Sequence, residues 1–179
     1  TLTTSSTEYQ KNVNWLNYAL NFPYTKMHQL SIDSNNCRFE ELSKYVSDIY
    51  SKLNNYIYGM KDVKEDILSF VCKKISNPYS NDHVLALHGS NGCGKTRLAY
   101  GLAEALCLPI KIINLGSVND VSYFTGHGLT FVESEPGLIV QILNETQCKN
   151  CIIYFDELDK IHQTEKGQAI FAFLTHLID

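Results

Sequence analysis

No stretch of this 179-residue chain approaches the roughly 18 consecutive apolar residues of a membrane-spanning helix, so no membrane is expected as a partner. The opening TLTTSSTEYQ lacks the basic and apolar regions of a secretory signal, and it starts with Thr rather than Met, so a fragment of a longer protein is expected. Positive charge is also in short supply. Fifteen Lys and Arg against 19 Asp and Glu leave a net charge of −4, which counts against nucleic acid as the main partner. The six cysteines, Cys37, Cys72, Cys93, Cys107, Cys148 and Cys151, are too scattered for a disulfide framework. A reducing compartment follows as the expectation, the cytoplasm or another such as the mitochondrial matrix. One pair, CKNC at Cys148–Cys151, has metal or redox spacing, but no second CxxC or His pair stands at a matching distance and no zinc is expected. Internal repeats and low-complexity segments are lacking as well. What remains is ordinary globular composition, 44% hydrophobic and 19% charged, long enough for one sizeable domain and an appendage.

Against that background LHGSNGCGKTRLAYGLAEAL, Leu87 to Leu106, stands out. Gly89, Gly92 and Gly94 interrupt the chain between an apolar run and a helical pattern, and Lys95 and Thr96 stand at the mouth of that helix. Glycine lets backbone approach a ligand closely, and a helix N-terminus offers N–H groups to an anion. The spacing is G-x-x-x-x-G-K-[ST]. In that motif the amides from about Asn91 to Thr96, with Gly89, Ser90, Gly92, Cys93 and Gly94 shaping the loop, cradle phosphates. The Lys95 ammonium reaches the β/γ-phosphates and the Thr96 hydroxyl binds Mg²⁺. The context predicted around it is a short buried strand, HVLAL (His83–Leu87), followed by a helix with Leu98, Leu102 and Leu106 at helical spacing.

The rest of the chain divides in two. Helices are predicted over STEYQKNVNWLNYALN, ending near Asn21 before Pro23, and over FEELSKYVSDIYSKLNNYI, with apolar residues repeating at Leu42, Tyr45 or Val46, Ile49 or Tyr50, and Leu53. A third, MKDVKEDILSFVCKKIS, presents Val63, Ile67, Leu68 and Val71 together. From His83 onward strands alternate with helices: HVLAL, a helix, IKIINL, helix GLIVQILNETQ, CIIYF, and helix GQAIFAFLTHLI. That alternation predicts an α/β fold with a parallel sheet and flanking helices, preceded by a small helical segment. CIIYFDELDK then sets Asp156 and Glu157 at the C-terminal end of a strand, where open α/β sheets bind ligands. Asp156 is suited to help hold Mg²⁺, and Glu157, with Lys95 a catalytic candidate, to polarise the water that attacks a γ-phosphate.

From about Ser5 to Ile178 the chain resembles the ATPase region of the Lon proteases, which are AAA+ proteins. The matching pieces run in order: STEYQKNVNWLNYALNFPYTK, YGMKDVKEDILSFV, GSNGCGKTRLAYGLAEAL, INLGSVND, GHGLTFVESEPGLIVQIL and FDELDK. The resemblance implies residues 1–55 as the end of the family's N-terminal region and 56–179 as a partial AAA+ ATPase domain. It also implies ATP and Mg²⁺ as cofactors, a homo-hexameric ring, and unfolded or misfolded protein as substrate, threaded toward a downstream serine–lysine protease domain. Tyr58, Gly59 and Met60 would line the adenine pocket, although the same YGM read alone is a helix-entry turn. Phe131 and Val132 of TFV would form the pore loop that grips substrate, since a rigid aromatic packs on any extended peptide; the alternative is a Phe131 buried in the loop's own packing.

Two departures accompany the resemblance. The family carries two basic residues after the His of GH and a Gly after the aromatic–aliphatic pair, whereas this chain has Gly128, Leu129 and Glu133, which changes pore electrostatics. The family's sensor asparagine, arginine finger, helical lid and serine–lysine dyad would follow Asp179. A second function is therefore carried beside the unfoldase motor: a nucleotide-switched interaction or scaffold module without protease activity. A third, an AAA+ motor on nucleic acid, is disfavoured by the acidic balance.

Overall fold

The structure is a computed structural model that describes residues 7–28, 32, 38–77, 80, 83–127, 135–161 and 164–178. By contact the chain forms two compact units, Thr1–Met27 with Lys111–Leu177, and His28–Ile110 with Ile178–Asp179.

In the first unit, helix α1 (Thr7–Asn21) packs on α6 (Leu138–Thr146). It is fastened there by amide side chains: Asn144 Nδ2 donates to the carbonyl of Tyr18 at 3.1 Å and Gln147 Nε2 to that of Asn21 at 2.8 Å. The helix is where the sequence predicts it, and its Leu16 and Leu20 face outward at 60% and 78% exposure. Strands β1 (Ile110–Asn114) and β2 (Ile152–Asp156) pair with each other as a small parallel sheet. Between them lie α6 and a single helical turn, α5 (Ser122–Thr125), that the sequence pattern does not announce. The core gathers Ile113, Leu115, Ile142, Ile170 and Leu174 around Phe124, whose ring stacks on Phe173 of α7 (Glu165–Ile178) with centroids 5.1 Å apart. Stacked aromatic pairs of this kind add to what area burial alone contributes.

In the second unit, α2 (Phe39–Tyr56) lies against both α3 (Lys61–Ser76) and α4 (Lys95–Leu106). The predicted apolar side of α2 is the inner one, with Ile49 and Leu53 fully buried. On α3 the buried row is Lys64, Ile67, Val71 and Ile75. Ile67 and Val71 are inside as predicted, but Lys64 comes in where Val63, 37% exposed, was expected. α4 passes α2 closely at Gly101, where a Cβ would stand 3.0 Å from both Cβ and Cγ of Tyr56. The mixed α/β class is as expected, but the strand at His83–Leu87 is not formed. Val84 there is 49% exposed, and among the described residues the sheet consists of β1 and β2. An apolar run becomes a strand only through the ladder bonds of a neighbour, which composition does not specify.

Candidate functional site

The predicted site residues fall into both units. In the second unit the chain reaches the phosphate loop without regular structure and turns at Asn91–Gly94 into α4. Gly92 (φ +77°) and Gly94 (φ +100°) hold left-handed backbone, which side-chain-bearing residues adopt only at a cost. A Cβ on Gly92 would meet nothing within 4 Å, so the loop is open on that side. A Cβ on Gly89 would come within 3.0 Å of Cys93 Sγ, which explains the first glycine as a packing requirement of the loop itself. Lys95 Nζ donates to the carbonyls of Gly89 (2.8 Å) and Ser90 (3.0 Å), so its ammonium sits over the loop and ties its two ends. Thr96 follows in the first turn of α4, half-buried, at the positive end of the helix dipole.

Tyr58, Gly59 and Met60 form the turn from α2 to α3 in the same unit. Tyr58 is fully exposed, and Gly59 (φ +74°) and Met60 (φ +52°) are consecutive left-handed residues. Ile57, buried beside them, brings its Cδ1 within 3.4 Å of where a Gly94 Cβ would lie. The YGM turn and the phosphate loop therefore adjoin through Ile57. The stretch is indeed a helix-entry turn, and it is also next to the loop.

In the first unit Asp156 ends β2 and Glu157 follows in left-handed backbone (φ +57°), its N–H donating to Asp156 Oδ1 at 2.9 Å. That turn exposes the Glu157 carboxylate. A Cβ on Gly116, in the 3-10 turn Leu115–Ser117 that follows β1, would lie 2.7 Å from Glu157 Oε2 and 3.1 Å from Asn114 Oδ1. Asn114 Oδ1 in turn accepts from Gly116 N at 2.9 Å. The stretch INLGSVND thus brings a glycine, held by Asn114, against the candidate carboxylate, a relation that spacing alone does not reveal.

Phe131 and Val132 lie outside the described residues. The stem that carries their segment is described: Gly126 bridges Pro136 in antiparallel fashion and His127 N donates to Glu135 O at 3.2 Å. Near β2, Cys148 is buried with Sγ donating to Asn150 Oδ1 at 2.9 Å, and burial pushes the Cys151 thiol above its ordinary range. A thiol raised in this way stays protonated and unreactive at neutral pH.

A glycine-shaped loop, a lysine over it and a helix N-terminus beyond it have the form of a P-loop, and residues 85–179 match the family described as ATPase family associated with various cellular activities (AAA). The chain belongs to that family. Its relatives among characterised proteins include the Lon protease homolog of Acanthamoeba polyphaga mimivirus, 33% identical over 135 residues, 75% of this chain and 13% of that protein. The Lon protease of Malacoplasma penetrans is 28% identical over 170 residues, 95% of this chain and 20% of that protein. The mitochondrial Lon protease homolog of Yarrowia lipolytica is 31% identical over 188 residues, 98% of this chain and 15% of that protein. The resemblance to the AAA+ region of Lon-like proteases read from the motifs is therefore shared across nearly the whole chain. The chain spans only about a fifth or less of the length of these relatives.

Proposed function

We propose that this chain binds and hydrolyses ATP as the motor portion of a Lon-like ATP-dependent protease, driving unfolding and translocation of protein substrates. In this reading residues 1–55 are the end of the N-terminal region and 56–179 part of the ATPase domain. The observation that carries it is Lys95 Nζ held over the loop at Gly89 and Ser90, between two left-handed glycines and the start of α4. The open side of Gly92 fits a phosphate chain, and the oxygen donors Thr96 and Asp156 fit a hard cation such as Mg²⁺. ATP would supply the phosphoanhydride and Mg²⁺ the charge neutralisation. The residues do the rest: the loop amides and Lys95 hold the β/γ-phosphates, Thr96 and Asp156 hold the cation, and Glu157 orients water and draws on its proton. Tyr58 flanks the base while backbone groups of Gly59 and Met60 read its edge. Phe131 and Val132 grip extended substrate, in a homo-hexamer of a reducing compartment, the mitochondrial matrix included. Among the described residues no helix is long and apolar enough to cross a membrane.

Mg-ATP binding and turnover in the full-length protein test this. Lys95→Ala is expected to abolish binding or hydrolysis, because it removes the loop's cation. Glu157→Gln is expected to retain binding and lose turnover. Unchanged ATP affinity and turnover in Lys95→Ala would refute the phosphate-loop assignment, and equal loss of binding in both variants would refute the division of roles. Phe131→Ala is expected to abolish degradation while sparing basal hydrolysis; a scaffold module would show neither effect.

A further inference from the structure

We propose that Lys64 is the positioning residue of the base-reading turn: from inside the fold it fixes Ile57–Met60 against the phosphate loop and so sets the preference for the adenine base. The proposal rests on the reading of Tyr58, Gly59 and Met60 as the adenine site. Lys64 is 1% exposed, the one polar or charged residue among the described buried set. A buried ammonium is costly unless hydrogen-bonded, so its partners define its role. They are the carbonyl of Ile57 at 2.5 Å and Asn54 Oδ1 at 2.8 Å, both at the C-terminal end of α2.

Ile57 is thereby held at both backbone groups, its N–H donating to Leu53 O at 3.1 Å and its carbonyl accepting from Lys64. Its side chain is the one that meets Gly94. Immediately after it come the left-handed Gly59 and Met60, and Met60 in that conformation costs about 1–2 kcal/mol. Such backbone persists only where its surroundings over-determine it. The start of α3 holds the other end of the turn, the Lys64 N–H donating to Met60 O at 3.0 Å as the helix's own backbone bond. The Lys64 ammonium therefore fixes the turn at residue 57, while the helix that carries it fixes residue 60. No acid is needed to neutralise it: the carbonyl dipoles at the end of α2 already favour a cation there.

The test separates base recognition from phosphate binding. Affinities for Mg-ATP, Mg-GTP and Mg-tripolyphosphate are measured in the full-length protein and in Lys64→Met, which keeps the stem and removes the ammonium. Losing hydrogen bonds to a charged group of this kind corresponds to about a tenfold change. The ATP-over-GTP preference is expected to fall by about that factor, with tripolyphosphate affinity within about twofold of wild type. A general loss of structure would weaken all three ligands together, and an unchanged preference would overturn the inference. Asn54→Ala removes an acceptor on the exposed side and spares the core, so it serves if Lys64→Met does not fold. A smaller drop in preference is expected there, and no drop would count against the proposal. Wild-type protein binding tripolyphosphate as tightly as ATP would instead refute the adenine assignment itself, a result distinct from an unchanged Lys64→Met.

Discussion

Gly116→Ala offers a direct probe of the Glu157 carboxylate that follows β2. A methyl group there would sit 2.7 Å from Glu157 Oε2, with Asn114 Oδ1 at 3.1 Å and Lys160 Cβ at 3.2 Å. Ordinary carbon contacts lie at about 3.5 Å, so the carboxylate must retreat by roughly 0.5–1 Å. Because it is the exposed end of a flexible side chain, it can move at little cost to the fold. The tighter neighbours, Asn114 and Lys160, make the net stability change about 1 kcal/mol, or roughly 2–4 °C in Tm. With Glu157 positioning the attacking water, as proposed, a misplacement of this size lowers turnover by roughly 10- to 100-fold. Steady-state Mg-ATP hydrolysis of the full-length protein, with thermal unfolding in parallel, reads both quantities. The expected result is a fall in kcat with KM within about twofold and a small Tm shift. Full kcat in a folded Gly116→Ala protein would show that Glu157 does not act from the position it holds beside Gly116.

Other perturbations separate packing from chemistry. Gly137→Ala would drive a Cβ to within 1.8 Å of the Phe124 carbonyl, a backbone atom that cannot yield, so the first unit should lose roughly 3 kcal/mol or more; a Tm within error of wild type would contradict the contact. Gly101→Ala gains up to about 1 kcal/mol in helix propensity but presses on the anchored base of the Tyr56 ring, and a net loss of about 1 kcal/mol in chemical denaturation is expected. Stabilisation by that change would mean that α2 and α4 can part without cost. The Asp120 carboxyl is held below its usual range, first by the Ser122 N–H and secondarily by Lys166. Its contribution to stability is therefore present above the unfolded-state value and is lost as pH falls through the lower folded one. An NMR titration placing that carboxyl at an ordinary value would contradict this.

Where a segment's conformation follows from its own residues, the sequence was enough. α4 begins and ends at the residues predicted, because Gly94 can take the left-handed turn into it and the leucines behind it share one face. Asp156 and Glu157 could be located for the same reason, an apolar strand ending abruptly in charge. Features set by neighbours were not legible. His83–Leu87 has the composition of a strand without a ladder, and Leu16 and Leu20 have helical period on an outward face. Nothing in the spacing marks Lys64 as buried, since a lone lysine in a helical pattern is nearly always a solvated charge. Its burial depends on two acceptors at the end of a different helix, Ile57 O and Asn54 Oδ1. The nearness of Gly116 to Glu157 likewise joins positions about forty residues apart, which no motif of local spacing encodes.

Lys95 is bonded to the loop it serves, and this has a thermodynamic consequence. A phosphate oxygen does not meet a solvated cation waiting for a partner; it competes with the carbonyls of Gly89 and Ser90 for the same protons. The enthalpy of nucleotide capture is then a difference between two sets of hydrogen bonds, smaller than either. Product release is eased in the same measure, since the departing phosphate leaves behind an ammonium with carbonyls to return to. If the chain is the ATPase proposed above, its loop would behave as an exchange site rather than a trap, emptying on every cycle.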